Sequence, residues 1–397
     1  MRTQIIPKIK ELASLLQDQL VEWRNHLHRW PELSFKEQKT SAFIQQILDQ
    51  YGIVYKSGFA QYGIVGTLHG HQNEKRVIAL RADMDALPIQ EKNNCSYSSQ
   101  NEGVMHACGH DVHMTWLLGA LIILQQMKTQ WGGTVKFIFQ PGEEKLPGGA
   151  SIMIAEGALE NPRPDVIIGQ HVQPGMDVGV VGLKAGQFMA SCDELYIDIL
   201  GKGGHAALAH LCIDPIKIAS QVVIALQNLV DEEKKENQPI VLSIGKINSL
   251  GGATNVIPDQ VRLEGTFRCL DESFREHMHS RIRKAIESIC EKHGASASIL
   301  IDLGYPSLIN DENSTNQAKT FAMQYLGHEN VEHLGTRMTS EDFAYYSQKV
   351  PAIFYRTGIG KEVSVHNPNF DIDERCLPVG AGLMAYLAMQ LQVDLRD

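Results

Sequence analysis

The stretch MHACGHDVHMT, residues 105–115, sets Cys108, His110, Asp111 and His113 within six residues, with His106 just ahead and an apolar run behind. A thiolate and an imidazole two positions apart can face one cation where the backbone is extended or looped, because alternate side chains share a side. Two other readings stay open on this stretch alone. One is a buried thiol beside a helix-capping loop. The other is a thiol hydrolase, although the nucleophile and base of such enzymes come from separate elements. His113 begins the helix that follows and takes a structural part.

Downstream, QPGEE supplies adjacent carboxylates, Glu143 and Glu144. Neighbouring side chains in an extended segment point to opposite sides, so one can bind metal while the other carries protons. Alone, such a pair also reads as a solvated turn; its place directly after the apolar VKFIFQP argues for a site. His171 follows DVIIGQ, and His366 lies in VSVHNP. A single loop histidine carries little. With Cys108, His110 and Glu144, the two histidines bring enough nitrogen, sulfur and oxygen donors for a two-metal centre with positions left for water and substrate.

GKGGHAALAH, residues 201–210, matches G-x-G-x-x-A after a strand, yet the next clear helix starts only near Asp214 and no nucleotide-type βαβ unit follows. Its glycines can instead present His205 at a cleft, or simply make a tight turn. Asn255 and Arg268 stand at the two ends of a strand-bearing segment. Arg268 offers a planar fork for a carboxylate or makes an ordinary surface ion pair. The chain has no GxxxxGK[ST], HExxH or GxSxG pattern.

Donors so scattered need elements to gather them. From about residue 62 a β-rich run, a Gly-, Pro- or His-bearing loop and a helical run follow one another repeatedly. VIALRADMD (77–85), TVKFIFQPGEE (134–144), PDVIIGQHV (164–172) and PAIFYRTG (351–358) read as buried strands, with helices from His113 to about Met127 and near 149–158. This is the pattern of an α/β fold with a mostly parallel, helix-covered sheet. Asp83 and Asp85, Cys108 and His110, Glu143 and Glu144, His171 and His366 each fall just past the C-terminal end of such a strand. That edge is where open α/β sheets bind ligands.

Between residues 187 and 303 the order becomes β-α-β-β-α-β. DELYIDILG is followed by a helix from Asp214 to about Val230, the strands PIVLSIGKI and QVRLEGTFRC, a helix over 271–293 and the strand SASILIDLG. This is the split βαβ, ferredoxin-like arrangement. The expected organisation is therefore a first domain part over 1–186, an inserted α+β satellite over 187–303, and a second part over 304–397. DEEKKENQ (231–238) reads as a solvated turn.

Composition narrows the function. With 36 Lys and Arg against 46 Asp and Glu, the formal charge is −10, and no basic run suits an electrostatic grip on nucleic acid. The first twenty residues interleave charges with apolar positions at helical spacing, unlike a secretory leader. The longest apolar run, LLGALIIL (117–124), is too short to span a bilayer. A cytoplasmic protein with no membrane partner is expected. Seven cysteines at 95, 108, 192, 212, 269, 290 and 376 lack the paired spacing of a disulfide framework or a CxxC zinc site.

Taken in order, RADMDALP, HACGHDVH, QPGEE, QHV, GKGGHAA, TNVIPD, GTFR, SEDFA and HNP resemble the metal-dependent amidohydrolases of the aminoacylase and glutamate-carboxypeptidase type. The resemblance spans nearly the whole chain. It is closest to the branch of hippurate hydrolase, indoleacetyl-amino-acid hydrolases and N-acetyldiaminopimelate deacetylase, to which the Cys-Gly-His form is specific. It implies a zinc-peptidase-like catalytic domain interrupted by a ferredoxin-like satellite that commonly dimerises. Position by position, it implies that Cys108, His110, Glu144, His171 and His366 hold two divalent ions, usually zinc or manganese. Glu143 would be the general base, Asp83 would steady a ligand, His205 would steady the oxyanion, often in the neighbouring subunit's cleft, and Asn255 and Arg268 would take the substrate carboxylate. The implied reaction is hydrolysis of an N-acyl amino acid (N-acetyl, benzoyl or indoleacetyl) by metal-activated water. A dipeptidase or aminopeptidase on the same centre, an inactive metal-binding scaffold and a cysteine hydrolase are the rivals. Ala209 where Pro is usual, Thr339 where Gly is usual, Gln173 where an aromatic residue is frequent and the KLP after Glu144 depart from the pattern. They bear on the acyl preference rather than on the reaction.

Overall fold

Strands that are apolar on both faces have to be covered on both faces, and four such runs build the centre of the larger sheet. The structure, a computed structural model, describes residues 5–235 and 239–393, without the side chains of residues 73 and 74. The sheet has eight strands in the order Tyr55–Phe59, Gly63–His69, Gly132–Gln140, Gln72–Asp83, Val166–Gln173, Ala352–Gly358, Val181–Leu183 and Val331–His333. Gln72–Asp83 runs parallel to both of its neighbours, and Val166–Gln173 runs parallel to Ala352–Gly358. Gly63–His69 pairs antiparallel with Gly132–Gln140. The sheet is mixed, with a parallel centre.

Helix His110–Gln126 is buried at every position from His110 to Leu124. Its sequence, apolar all round, calls for that place. Trp116 Nε1 on this helix donates to the carbonyl of Cys376, where helix Cys376–Gln390 begins, at 3.1 Å. The first segment folds as helices Ile5–Leu15 and Gln17–Arg29, the expected amphipathic pattern; Met1–Gln4 lie outside the described residues.

The chain divides into two units. One runs to Gly186 and takes in Ile309–Gly335 and the chain from Asp342 onward; the other comprises Gln187–Leu308 and Thr336–Glu341. The sequence put the return at 304 and gave 336–341 to the second part of the interrupted domain. Hydrogen bonds inside the second unit account for the difference. Gly304 N donates to Asp193 Oδ1 at 3.2 Å, Ser307 N to Glu272 Oε1 at 2.7 Å, and Ala190 N to the Arg337 carbonyl at 3.1 Å.

The second unit carries a four-stranded antiparallel sheet in the order Val241–Leu250, Gln260–Arg268, Asp193–Leu200, Ser296–Leu303. This is the ferredoxin-like arrangement expected from β-α-β-β-α-β. Helix Pro215–Glu233 is capped by Asp214, which accepts from Ile216 N, and starts with Pro215 where no N–H is needed. Helix Glu272–Lys292 is capped by Asp271, which accepts from Phe274 N. Leu195, Ile197 and Ile199 bury one sheet face in the core that also holds Val222, Leu226, Ile282 and Ile286 of the helices. The stretch read as a solvated turn instead finishes the first helix as far as Glu233; residues 236–238 of it lie outside the described residues. Among the described residues, no helix is long and apolar enough to cross a membrane.

Candidate metal centre

The predicted donors of the first unit gather at one edge of its sheet. Asp83 is the last residue of its strand, Glu143 and Glu144 lie in the turn after Gly132–Gln140, and His366 lies in the loop after Ala352–Gly358. Two placements differ from expectation. His171 is inside strand Val166–Gln173 rather than past its end, and His110 opens helix His110–Gln126 rather than lying in a loop. Between Cys108 and His110 stands Gly109 with φ +81°, and a Cβ there would lie 2.7 Å from Val172 Cγ2. Only glycine meets both conditions, so the turn that brings thiol and imidazole together is written into the sequence.

The donor atoms form two sets that share one member. Cys108, His110 and His171 have ligand atoms within 4.8 Å of one another, and so do Cys108, Glu144 and His366. Cys108 Sγ lies 3.5 Å from His171 Nε2, and His366 Nε2 lies 3.3 Å from Glu144 Oε1. Glu143 approaches His110 and Glu144 within the same limit. The His366 backbone N–H donates to the Ala107 carbonyl at 2.7 Å, tying its loop to the one that carries Cys108.

Residues 79–390 match the profile of Peptidase family M20/M25/M40. The chain belongs to that family. It is 40% identical over 385 residues to an N-acetyl-L-cysteine deacetylase of Bacillus subtilis, covering 97% of this chain and 90% of that protein. It is 41% identical over 303 residues to an N-acyl-L-amino acid amidohydrolase of Geobacillus stearothermophilus, covering 76% of this chain and 81% of the relative. Among solved structures, it superposes with a TM-score of 0.83 at 34% identity on the Bacillus subtilis YXEP protein, described as a dinuclear metal-binding peptidase of the M20 family. That likeness covers 95% of this chain and 99% of the other. Membership makes the chain a metal-dependent hydrolase of amide bonds.

The chemistry of these candidate donors suits a pair of cations. Both ring nitrogens of His110 and Oε1 of Glu144 are buried and make no well-aligned hydrogen bond among the described residues, although Asp85 Oδ1 lies 3.3 Å from His110 Nδ1 and His366 Nε2 lies 3.3 Å from Glu144 Oε1. Buried polar atoms are ordinarily satisfied, so these point to something that occupies the space between them. His171 Nδ1 donates to the Val172 carbonyl at 2.8 Å, which leaves its Nε2 lone pair facing the Cys108 thiol. The local electrostatics of these candidate donors differ. Hydrogen bonding to Cys108 and Glu144 pushes His366 up to about 10, whereas burial and Arg356 hold His171 well below its ordinary value. Burial draws His110 down, but Asp83, Asp85 and Cys108 outweigh it and hold the imidazole well above its usual range.

Asp83 is bonded to His113, which in turn reaches the strand carrying His171. His113 Nδ1 lies 2.6 Å from Asp83 Oδ1, and its Nε2 accepts the Val172 N–H at 3.0 Å, so the ring proton sits on Nδ1 and donates to Asp83. With both nitrogens spent, His113 is a strut between the helix and the strand that carries His171. Arg81, which the sequence did not single out, is almost wholly buried and donates to Asp83 Oδ2 at 2.6 Å, Gln140 Oε1 at 2.9 Å and Asp342 Oδ1 at 2.7 Å. It ties together the ends of two central strands and the SEDFA motif. The motifs themselves were the available signal. Arg24, buried and bonded to Asp111 at 2.9 Å and Asp371 at 3.1 Å, had none.

The remaining predicted residues belong to the second unit. His205 pairs with Val256 across a two-stranded ladder, and Ala206 N donates to the Asn255 carbonyl at 2.9 Å, so His205 and Asn255 are neighbours. His205 is exposed, and its Nδ1 accepts the Ala207 N–H at 3.1 Å. That bond places the ring proton on Nε2 in the neutral tautomer. Arg268 ends another strand and donates through Nη1 to the Met338 carbonyl at 3.1 Å.

Proposed function

We propose that this chain is an N-acyl-amino-acid amidohydrolase that releases a carboxylic acid and a free amino acid. The single observation that carries the reading is the pair of donor sets sharing Cys108, with Glu143 beside them. The deacetylase and amidohydrolase descriptions of its relatives support the substrate class. We assign Cys108, His110, Glu144, His171 and His366 as holders of two divalent ions. Thiolate, imidazole and carboxylate together suit zinc, with manganese as the other metal. Bound cations supply Lewis acidity and bring the pKa of water down to about 7.

The residues of the chain do the rest. Glu143, buried beside the donors, takes the proton of the attacking water and delivers it to the leaving amine. His205 offers its Nε2 proton to the oxyanion, and Asn255 and Arg268 bind the substrate carboxylate. Asp83 acts through His113 to keep the His171 strand in register.

A homodimer formed through the satellite is part of this proposal. Strand Val241–Leu250 stands at the edge of its sheet with Ile247 and Leu250 52% and 49% exposed, a surface suited to pairing with a second copy. A cytoplasmic location is proposed because all seven cysteines are unpaired thiols. Solution mass by light scattering tests the dimer.

Elemental analysis and a substrate panel test the function. Two divalent ions per chain, activity lost on chelation and restored by metal, and hydrolysis of N-acetyl, benzoyl or indoleacetyl amino acids are expected. Activity that survives chelation would favour a cysteine hydrolase. Cleavage confined to dipeptides with a free α-amine would favour a dipeptidase, and a metal-loaded protein silent on the whole panel would be a scaffold.

A further inference from the structure

Glu143 sits in a turn, and a base in a turn has to be held from outside if its carboxylate is to stay in place. The peptide N–H groups on either side of it are both held by remote side chains. Gly142 N donates to Glu37 Oε1 at 2.8 Å, and Glu144 N donates to Asp85 Oδ2 at 2.9 Å. Asp85 Oδ2 also accepts from Ser34 Oγ at 2.6 Å, and Glu37 Oε1 also accepts from Phe35 N at 3.0 Å. One short segment, Ser34 to Glu37, therefore reaches both flanks of Glu143.

Three further features set this segment apart. Glu37 immediately precedes helix Gln38–Gln50, yet its side chain makes no capping bond to it. The carboxyl is fully buried, its Oε2 has no hydrogen-bond partner among the described residues, and burial and the neighbouring Asp85 push it up to about 8. Phe35 adopts φ +62°, unusual for a bulky residue, and a Cβ added at Gly142 would lie 2.5 Å from its ring. Strain of this kind persists only where the surroundings enforce it, and here the ring lies directly on the glycine before the base.

We propose that Glu37 is a positioning residue for Glu143, holding the Gly142 N–H while Asp85, steadied by Ser34, holds the Glu144 N–H. The clamp rests on Glu143 being the base. Displacement of a reacting group by about an ångström costs on the order of a hundredfold in rate, so loss of one side of the clamp reaches kcat before it reaches substrate binding. Glu37 needs only an acceptor oxygen for this task, and the amide of Gln supplies one.

The test compares Glu37→Leu, Glu37→Gln and Glu143→Gln in the metal-loaded full chain, reading kcat, KM, bound metal and melting temperature on an N-acetyl amino acid. Glu37→Leu is expected to lower kcat about tenfold or more with KM and metal content held, and Glu37→Gln to restore kcat to within about threefold of the parent. A Glu37→Leu enzyme with parental kcat overturns the proposal, as does a loss of kcat that follows loss of metal or that Gln fails to rescue. Should Glu37→Leu not fold, Ser34→Ala carries the test from the other side of the clamp, with a fall in kcat of about threefold expected and parental kcat overturning it. An active Glu143→Gln overturns the base assignment instead, whatever Glu37 does.

Discussion

Strand Ala352–Gly358 is buried at all seven positions, whereas Asp193–Leu200 alternates between buried and open ones. The first belongs to a parallel-centred sheet covered on both faces, and the second to an antiparallel sheet with its helices on one face. The chemistry divides in the same way. In the first unit the candidate groups are mostly buried, and His110 and Glu144 keep buried atoms whose nearest partners are other candidate groups, 3.3 Å away and poorly aligned. In the second, His205 and Asn255 are exposed; the Asn255 carbonyl accepts from Ala206 N, and His205 Nδ1 accepts from Ala207 N. A covered strand edge can hold ions against water; an open face can offer donors to a substrate without a desolvation cost.

That contrast can be broken first at Glu143. Glu143→Gln is expected to cut kcat roughly 10²- to 10⁴-fold while bound metal stays at the parental level, as steady-state kinetics and elemental analysis would show. A variant that loses metal in proportion to activity would make Glu143 a ligand rather than a base.

Next come two of the buried arginines, Arg81 and Arg275. Arg81→Leu takes the guanidinium from two buried carboxylates, Asp83 and Asp342, and should cost about 3–5 kcal/mol in denaturant unfolding, with metal affinity falling too. Arg275→Leu in the second unit should cost less, because it uncovers one buried carboxylate, Asp193, which keeps His279 Nε2 at 2.7 Å, and metal binding should not change. Equal effects on metal from both variants would erase the distinction between the units.

His205→Ala probes the open side. It should lower kcat on the order of 10²-fold with no shift in melting temperature, since the ring is exposed. A fall in melting temperature would make His205 structural.

The smallest effect is that of acid on the second unit. Burial works to raise the Asp193 carboxyl, but bonds from Arg275 and His279 hold it below the ordinary carboxylate range. A carboxyl depressed in the folded state adds stability that is complete above its unfolded value of about 3.9 and is lost as pH falls toward the folded value. Melting temperature should therefore drop more steeply between about pH 5 and pH 3 in the parent than in Asp193→Asn. Parallel curves would remove the cluster from the account of acid stability.

Much of this molecule was written locally. Runs such as VIIGQHV and AIFYRTG announced covered strands, and the β-α-β-β-α-β order announced the satellite. The types of all five donors, and of Glu143 beside Glu144, could be read before any fold was known, because local periodicity and side-chain chemistry are properties of neighbouring residues. Tertiary structure alone decided that Cys108 would be common to two donor sets, that His113 would spend both nitrogens as a strut, and that Glu37 would reach Gly142 across 105 positions of chain. It also decided that Thr336–Glu341 would join the satellite. Such pairings are fixed by the register of remote strands and the loops between them, and no window of sequence contains both partners.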